Sequence, residues 1–301
     1  MGIVVIGSSF VDIKGFPFEK YMSDGRNAGY IEYVHGGVAR NVVEDIANAG
    51  YASTYLGIVD HTPLGADVVD HLYRCGVNTE YTLVRKDGMG TWLAVFNELG
   101  DVAGSISKRP NLMPLLDVLN KNGDEIFESA DSVIIELDIE EEILNKVIDL
   151  KLKHNTKLFA LVSNMSIALE RINYLKYFEC FICNQQEIGI FFEGDYEDLS
   201  PEDLSHLLCS KIKDTTYPIM IVTMGSLGAI YATSKGEKGF CEASKVKVVD
   251  TTGAGDSFCA GVAIGLTYGK DIKQALKMGS QIAANVITHV GNVCTKDFTF
   301  K

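Results

Sequence analysis

The chain predicts an α/β fold, a mostly parallel sheet with helices on both faces and a small β layer set into its first third. Three observations carry this. Short runs that are apolar throughout alternate with longer stretches of helical periodicity, as in sheets covered on both sides. Two early segments break that rhythm with strict alternation and a hairpin signal. Apolar residues make up 47% of 301, enough to bury a large core.

The elements follow in order. Residues 3–6 read as a strand running into Gly7-Ser8-Ser9. Val42, Val43, Ile46 and Ala49 share a helical face that stops at Gly50, a residue suited to the left-handed helix end. A strand at 55–58 and a helix at 64–75 come next, the helix ending at Gly76. A strand at 132–137 precedes a helix at 140–152, and apolar strands follow at 157–162, 180–183 and 219–223 with helical segments between them. Helical patterns at 255–268 and 272–289 close the chain. The exceptions are the alternating run 30–34 and the pair 91–96 and 102–106, which flank the turn Asn97-Glu98-Leu99-Gly100-Asp101. They read as a small antiparallel sheet inserted at about 14–35 and 89–107 into a single domain spanning 1–301. Such a flap would exclude water from a site or pair two copies of the chain, and a homodimer through it is expected.

Composition narrows the function. Lys and Arg number 27 against 40 Asp and Glu, a net charge of −13, which argues against nucleic-acid or anionic-membrane binding. No apolar run reaches membrane-spanning length, and the amino-terminal residues read as a strand rather than a leader. The seven cysteines lack a disulfide framework, and Cys180-Phe-Ile-Cys183 has no second pair for zinc, so a buried strand in a reducing cytoplasm is expected.

The strongest chemical signal is Asp250-Thr251-Thr252-Gly253-Ala254-Gly255-Asp256-Ser257-Phe258. A strand enters a small-residue turn that opens a helix. Gly253, Ala254 and Gly255 would let backbone N–H groups approach an anion, with the helix dipole acting in the same sense. Asp256 in the first turn is either a helix cap or, beside that anion, a general base. No P-loop and no dinucleotide fingerprint is present.

The run at 250–258 resembles the signature of the ribokinase family, the phosphofructokinase-B-type carbohydrate kinases. The resemblance covers nearly the whole chain. Gly36-Gly37-Val38-Ala39-Arg40-Asn41 is similar to the family's glycine pair and helical Asn, Asn184-Gln185-Gln186-Glu187 to its N-x-x-E element, and Thr223-Met224-Gly225-Ser226-Leu227-Gly228 to its T-x-G-x-x-G turn. The resemblance implies a ribokinase-like fold with a β lid, ATP and Mg2+ as cofactors, and a small sugar or nucleoside as acceptor. It implies Asp256 as base over an anion cradle at Gly253–Gly255, and Asp12, Gly36, Gly37 and Asn41 on the acceptor. It implies Asn184, Thr223, Gly225, Gly228, Ser280 and Ala284 on the nucleotide, and Glu187 on Mg2+ through water. Asp250, Thr252, Thr288 and Gly291 match a monovalent-cation site, K+ for example.

Glu136 and Asp138, ending a buried strand, are further candidate acceptor contacts. Within the family the likeness runs toward pseudouridine kinases, through Val11-Asp12-Ile13-Lys14-Gly15-Phe16 and the Gly37-Val38-Ala39-Arg40-Asn41 form of the glycine motif. The 5′-hydroxyl is then the expected target. Ribose, fructose or a phosphosugar is the alternative, since Lys108-Arg109 stands where pseudouridine kinases differ and would attract an acidic acceptor if it faces the site. A non-catalytic sensor on the same fold is the reading from another class; the presence of Asp256 weighs against it.

Overall fold

The computed structural model describes residues 1–300. In chain order its elements are β1 (Gly2–Ile6), β2 (Phe10–Pro17), β3 (Gly29–Gly36), α1 (Val38–Asn48), β4 (Ser53–Leu56), β5 (Ile58–Val59), α2 (Pro63–Arg74), β6 (Leu83–Val84), β7 (Gly90–Phe96) and β8 (Val102–Lys108). There follow α3 (Pro114–Ser129), β9 (Ala130–Glu136), α4 (Glu141–His154), β10 (Leu158–Leu161), α5 (Met165–Glu170), β11 (Phe181–Asn184), α6 (Gln185–Phe192), α7 (Pro201–Ile212), β12 (Ile219–Thr223), β13 (Gly228–Thr233), β14 (Lys238–Glu242), α8 (Ala254–Thr267) and α9 (Ile272–Val286).

One sheet runs β10-β9-β1-β4, with every pair parallel. A second runs β11-β12-β13-β14, parallel at its first pair and antiparallel thereafter. The amide of Glu179, just before β11, donates to the Leu158 carbonyl at 2.8 Å and joins the two at the β10 edge. Successive residues of a strand face opposite sides, and both sides here are apolar. Val4 and Ile6 of β1 belong to one apolar cluster with Val133 and Ile135 of β9 and residues of α3, α4 and α7. Ile3 and Val5 face the other side and belong to a second cluster with Ile134 and residues of α1, α2, α8 and α9. This is why the strands read as unbroken apolar runs. Cys183 lies on β11 and Cys180 just before it, both buried as expected.

The third sheet runs β3-β2-β7-β8. It is mixed rather than antiparallel, because β2 pairs parallel with β7 while both outer pairs are antiparallel. Its insertions begin nearer residue 10 than 14, since β2 leaves the Gly7-Ser8-Ser9 turn almost at once. Much of one face is open, with Ile31 62% and Ile106 70% exposed.

Asp45 ties the carboxyl-terminal segment to the helices beneath the site. Buried on α1, it accepts from Ser257 Oγ of α8 at 2.6 Å and from the Cys294 amide at 2.6 Å. Burial pushes its carboxyl up to about 7 against those hydrogen bonds. Asp45→Ala strands two buried donors, so a loss of about 2–6 kcal/mol is expected in urea unfolding. A folded-state value above the unfolded one gives a contribution complete below pH 4 and lost as pH rises through about 7. Asp45→Asn should flatten that slope.

Candidate active site

A cavity of about 630 Å³ opens where β1 and β9 end, with the third sheet as its roof. Carboxyl ends of parallel strands are where open α/β sheets place ligands. The turn after β1 contributes Ser8, the roof strands Asp12, Trp92 and Ser107, and the loop after β9 Asp138. The starts of α1 and α8 contribute Gly36, Gly37, Asn41 and Asp256. Residues predicted from distant stretches of sequence therefore meet in one place.

Asp12 lies on β2 diagonally across from Gly36 of β3, whose register partner is Phe10. A Cβ at Gly36 would fall 2.8 Å from the Asp12 carboxylate, so only glycine leaves that carboxylate its place. Burial raises the Asp12 carboxyl above its ordinary value, with Lys14 and Arg40 opposing.

Asn41 and Asp256 form one unit. Asn41 Nδ2 donates to Asp256 Oδ2 at 2.7 Å. The amide orientation is fixed from behind, because Arg40 donates to Asn41 Oδ1 and a guanidinium can only donate. Arg40 is 2% exposed and also donates to the His35 carbonyl and to Glu44 at 2.6 Å. Asn41 thus spends one N–H and one lone pair on the protein and keeps one N–H for a ligand, less than a free amide would offer a diol. Burial pushes the Asp256 carboxyl up to about 6, with the Asn41 bond and Arg40 pulling the other way.

The turn before α8 is tight on one side and open on the other. Gly253 has φ +80°, and a Cβ there would strike the Asn292 carbonyl at 2.1 Å, so glycine is required. A Cβ at Gly255 would meet nothing within 4 Å, so that side of the terminus is open. No side chain caps α8. The Ala254 amide is already bonded to the Thr251 carbonyl at 3.2 Å, so it is not free for an anion as the sequence suggested.

Glu136 reaches the cavity edge but is engaged. It accepts from the Ser8 amide at 3.1 Å, from Ser8 Oγ at 2.8 Å and from the Ala39 amide at 2.9 Å. Its carboxyl is driven upward by burial and by the neighbouring Asp138. It fastens the start of α1 to the turn after β1. Lys108 and Arg109 part company: Lys108 pairs with exposed Asp87 at 2.8 Å, whereas Arg109 lines the cavity and pairs with Asp138 at 2.9 Å.

The nucleotide candidates lie outside this cavity lining, at the ends of β11 and β12. Asn184 and Thr223 are register partners there. Asn184 and Glu187 form a capping box at the start of α6, each side chain accepting from the other's amide at 2.8 Å. Gly225 and Gly228 turn the chain from β12 into β13. Ser280 and Ala284 are on α9, Ala284 buried. Asp250 accepts from the Thr252 amide at 2.9 Å and from Thr252 Oγ1 at 2.8 Å. A bond from the Val249 amide to the Ile287 carbonyl at 2.7 Å lays this stretch beside the segment carrying Thr288 and Gly291. Asn292 also lines the cavity and donates to the His35 carbonyl at 2.7 Å; nothing in its local sequence marks it.

Comparison with known proteins places this geometry. The profile of the pfkB family of carbohydrate kinases matches residues 2–296. The chain belongs to that family. As a pfkB family carbohydrate kinase it is a phosphotransferase with an alcohol acceptor on a small sugar or nucleoside. It is 35% identical over 292 residues to the guanosine-inosine kinase of Exiguobacterium acetylicum, covering 96% of this chain and 95% of that one. It is 23% identical over 274 residues to the pseudouridine kinase of Escherichia coli, covering 87% and 82%. The pfkB fold is equally plain in solved structures: Arabidopsis thaliana ribokinase complexed with ribose and ATP superposes with a TM-score of 0.81 at 20% identity, over 98% of this chain and 96% of that one. Among the described residues no helix is long and apolar enough to cross a membrane.

Proposed function

We propose that this chain is an ATP-dependent nucleoside kinase that phosphorylates the 5′-hydroxyl of a purine nucleoside, guanosine or inosine. For the chemistry, the supporting observation is Asp256, held by Asn41 at 2.7 Å and facing the cavity beside an uncapped helix start. For the acceptor, support comes from the 35% identity across nearly the whole chain with a guanosine-inosine kinase, against 23% with a pseudouridine kinase. The pseudouridine expectation therefore yields to a purine nucleoside.

The acceptor's ribose hydroxyls lie against Asp12 and the Gly36–Gly37 backbone, with its 5′-oxygen beside Asp256. Asp256 takes the hydroxyl proton as the oxygen–phosphorus bond forms, since a carboxylate is far too weak a base to remove it beforehand. Amides at the start of α8 receive the charge developing on the transferred phosphoryl group. The third sheet is the lid that excludes water, and its open face is where two copies would pair. ATP lies along the β12–β13 turn and the start of α6. Mg2+, which neutralises charge on the phosphates, would be held through water by Glu187, whose carboxylate keeps free lone pairs after its single capping bond. Asp250, the Thr252 carbonyl and the 288–291 backbone would hold a monovalent ion. Seven free cysteines suit a cytoplasmic setting.

The test is ADP release with guanosine, inosine, adenosine, pseudouridine, ribose and a sugar phosphate compared by kcat/KM. Highest values for guanosine and inosine support the reading, and a sugar or sugar phosphate at the top overturns it. Glu187→Gln should raise the Mg2+ concentration for half-maximal rate severalfold, because an outer charge on the ion is lost. An unchanged titration would separate Glu187 from the metal.

A further inference from the structure

Asp138 is an unusual carboxylate. Its side chain is 7% exposed, yet it lines the cavity. Oδ2 accepts from Ser163 Oγ at 2.6 Å and faces Arg109 at 2.9 Å. Oδ1 is buried and has no hydrogen-bond partner. A buried charged acceptor left unpaired costs a few kcal/mol, and such groups are rare unless a ligand completes them. Beside it, Arg109 is about half exposed and has donors beyond the one spent on Asp138. The cavity wall thus holds a carboxylate with one buried oxygen lacking a partner, next to a cation with donors to spare.

We infer that Asp138 and Arg109 read the base of the acceptor, with Asp138 Oδ1 accepting from the N1–H of a 6-oxopurine and Arg109 donating to its O6. This rests on the nucleoside reading above and extends it to the base. A lactam edge places an acidic N–H beside a strong carbonyl acceptor, which matches the pair in sign. Adenine offers at N1 a lone pair where Asp138 needs a donor, so its N1 faces an anion. The 6-amino group would satisfy Asp138 only by shifting the ring, and Arg109 would then meet a weaker ring-nitrogen acceptor. Ribose lacks the edge altogether and would leave Oδ1 unpaired. The same two residues explain why an arginine stands at the end of β8: it orients Asp138 and holds its charge while the free oxygen awaits a donor.

The experiment compares kcat/KM for guanosine, inosine, 1-methylinosine and adenosine in the wild type, Asp138→Asn and Arg109→Ala. In the wild type, 1-methylinosine, which has no N1–H, should fall about 10- to 100-fold below inosine. Both variants should shrink that gap and the guanosine-to-adenosine ratio, with KM for ATP unmoved. Should Asp138→Asn fail to fold, the half-exposed Arg109 and the methylated nucleoside carry the test. Equal wild-type turnover of inosine and 1-methylinosine overturns the inference while leaving the nucleoside reading intact. So do variants that keep the wild-type ratios. A wild type that phosphorylates no nucleoside overturns both.

Discussion

Asp256→Asn should lower kcat by about 10²–10⁴-fold while ATP binding survives. Asparagine has nearly the same shape, so the hydrogen bond to Asn41 can be kept by an amide flip and the helix start should hold. What disappears is the group that takes the proton. The pH profile gives a second reading of the same residue. Burial raises this carboxyl to about 6, and only the ionised form accepts a proton. kcat/KM should therefore fall tenfold per unit as pH drops below about 6 and stay level above it until another group titrates. The limb belongs to Asp256 if the residual activity of the variant lacks it. Near-normal turnover in Asp256→Asn, or a wild-type profile flat down to pH 4.5, would remove Asp256 from the chemistry.

Asp12→Ala should lower kcat/KM for the acceptor by about 10²–10³-fold and leave the KM for ATP nearly unchanged. A carboxylate accepting from hydroxyls contributes about 1.5–3 kcal/mol per bond, and two bonds to a ribose diol reach that range. Asp12 is well placed for this because Gly36 leaves its carboxylate room while partial burial raises its proton affinity. The matching measurement uses 2′-deoxyguanosine. Wild-type enzyme should discriminate against it, and Asp12→Ala should not, since the partner of the missing hydroxyl has gone. If the variant discriminates as well as the wild type, another residue holds the diol.

The sheet and its helices were legible because parallel strands buried on both faces leave continuous apolar runs. The helices at 38–48 and 63–74 also carry end signals, Gly50 and Gly76, in the residues that follow them. The motifs at 36–41 and 250–258 were legible because glycine is required where a carboxylate or a carbonyl comes close, as Asp12 does at Gly36 and Asn292 at Gly253. Pairing was not legible. Nothing local in β2 says that its second neighbour is β7, parallel and some eighty residues on, so the small sheet was read as antiparallel. Nor was engagement. Glu136 and Asn41 look free in a sequence, and their partners Ser8, Ala39 and Arg40 become visible only when the chain is folded. The split between Lys108 and Arg109 is of the same kind: Lys108 is the last residue of β8 and Arg109 lies just past its end, and only the folded path of the chain decides which one enters the cavity.

One consequence follows from where Asp12 sits. It belongs to β2, a strand of the roof, whereas Asp256 is fixed to α8 in the body. A molecule long enough to touch both adds a clasp between roof and body to the links already there, the Arg109–Asp138 pair and the Asn292–His35 bond. Water can approach Asp256, but it cannot span the gap to the roof. On the acceptor reading proposed above, acceptor length would then decide selectivity against water: a molecule that reaches both carboxylates would tie the roof down as it presents its hydroxyl, and a shorter one would not.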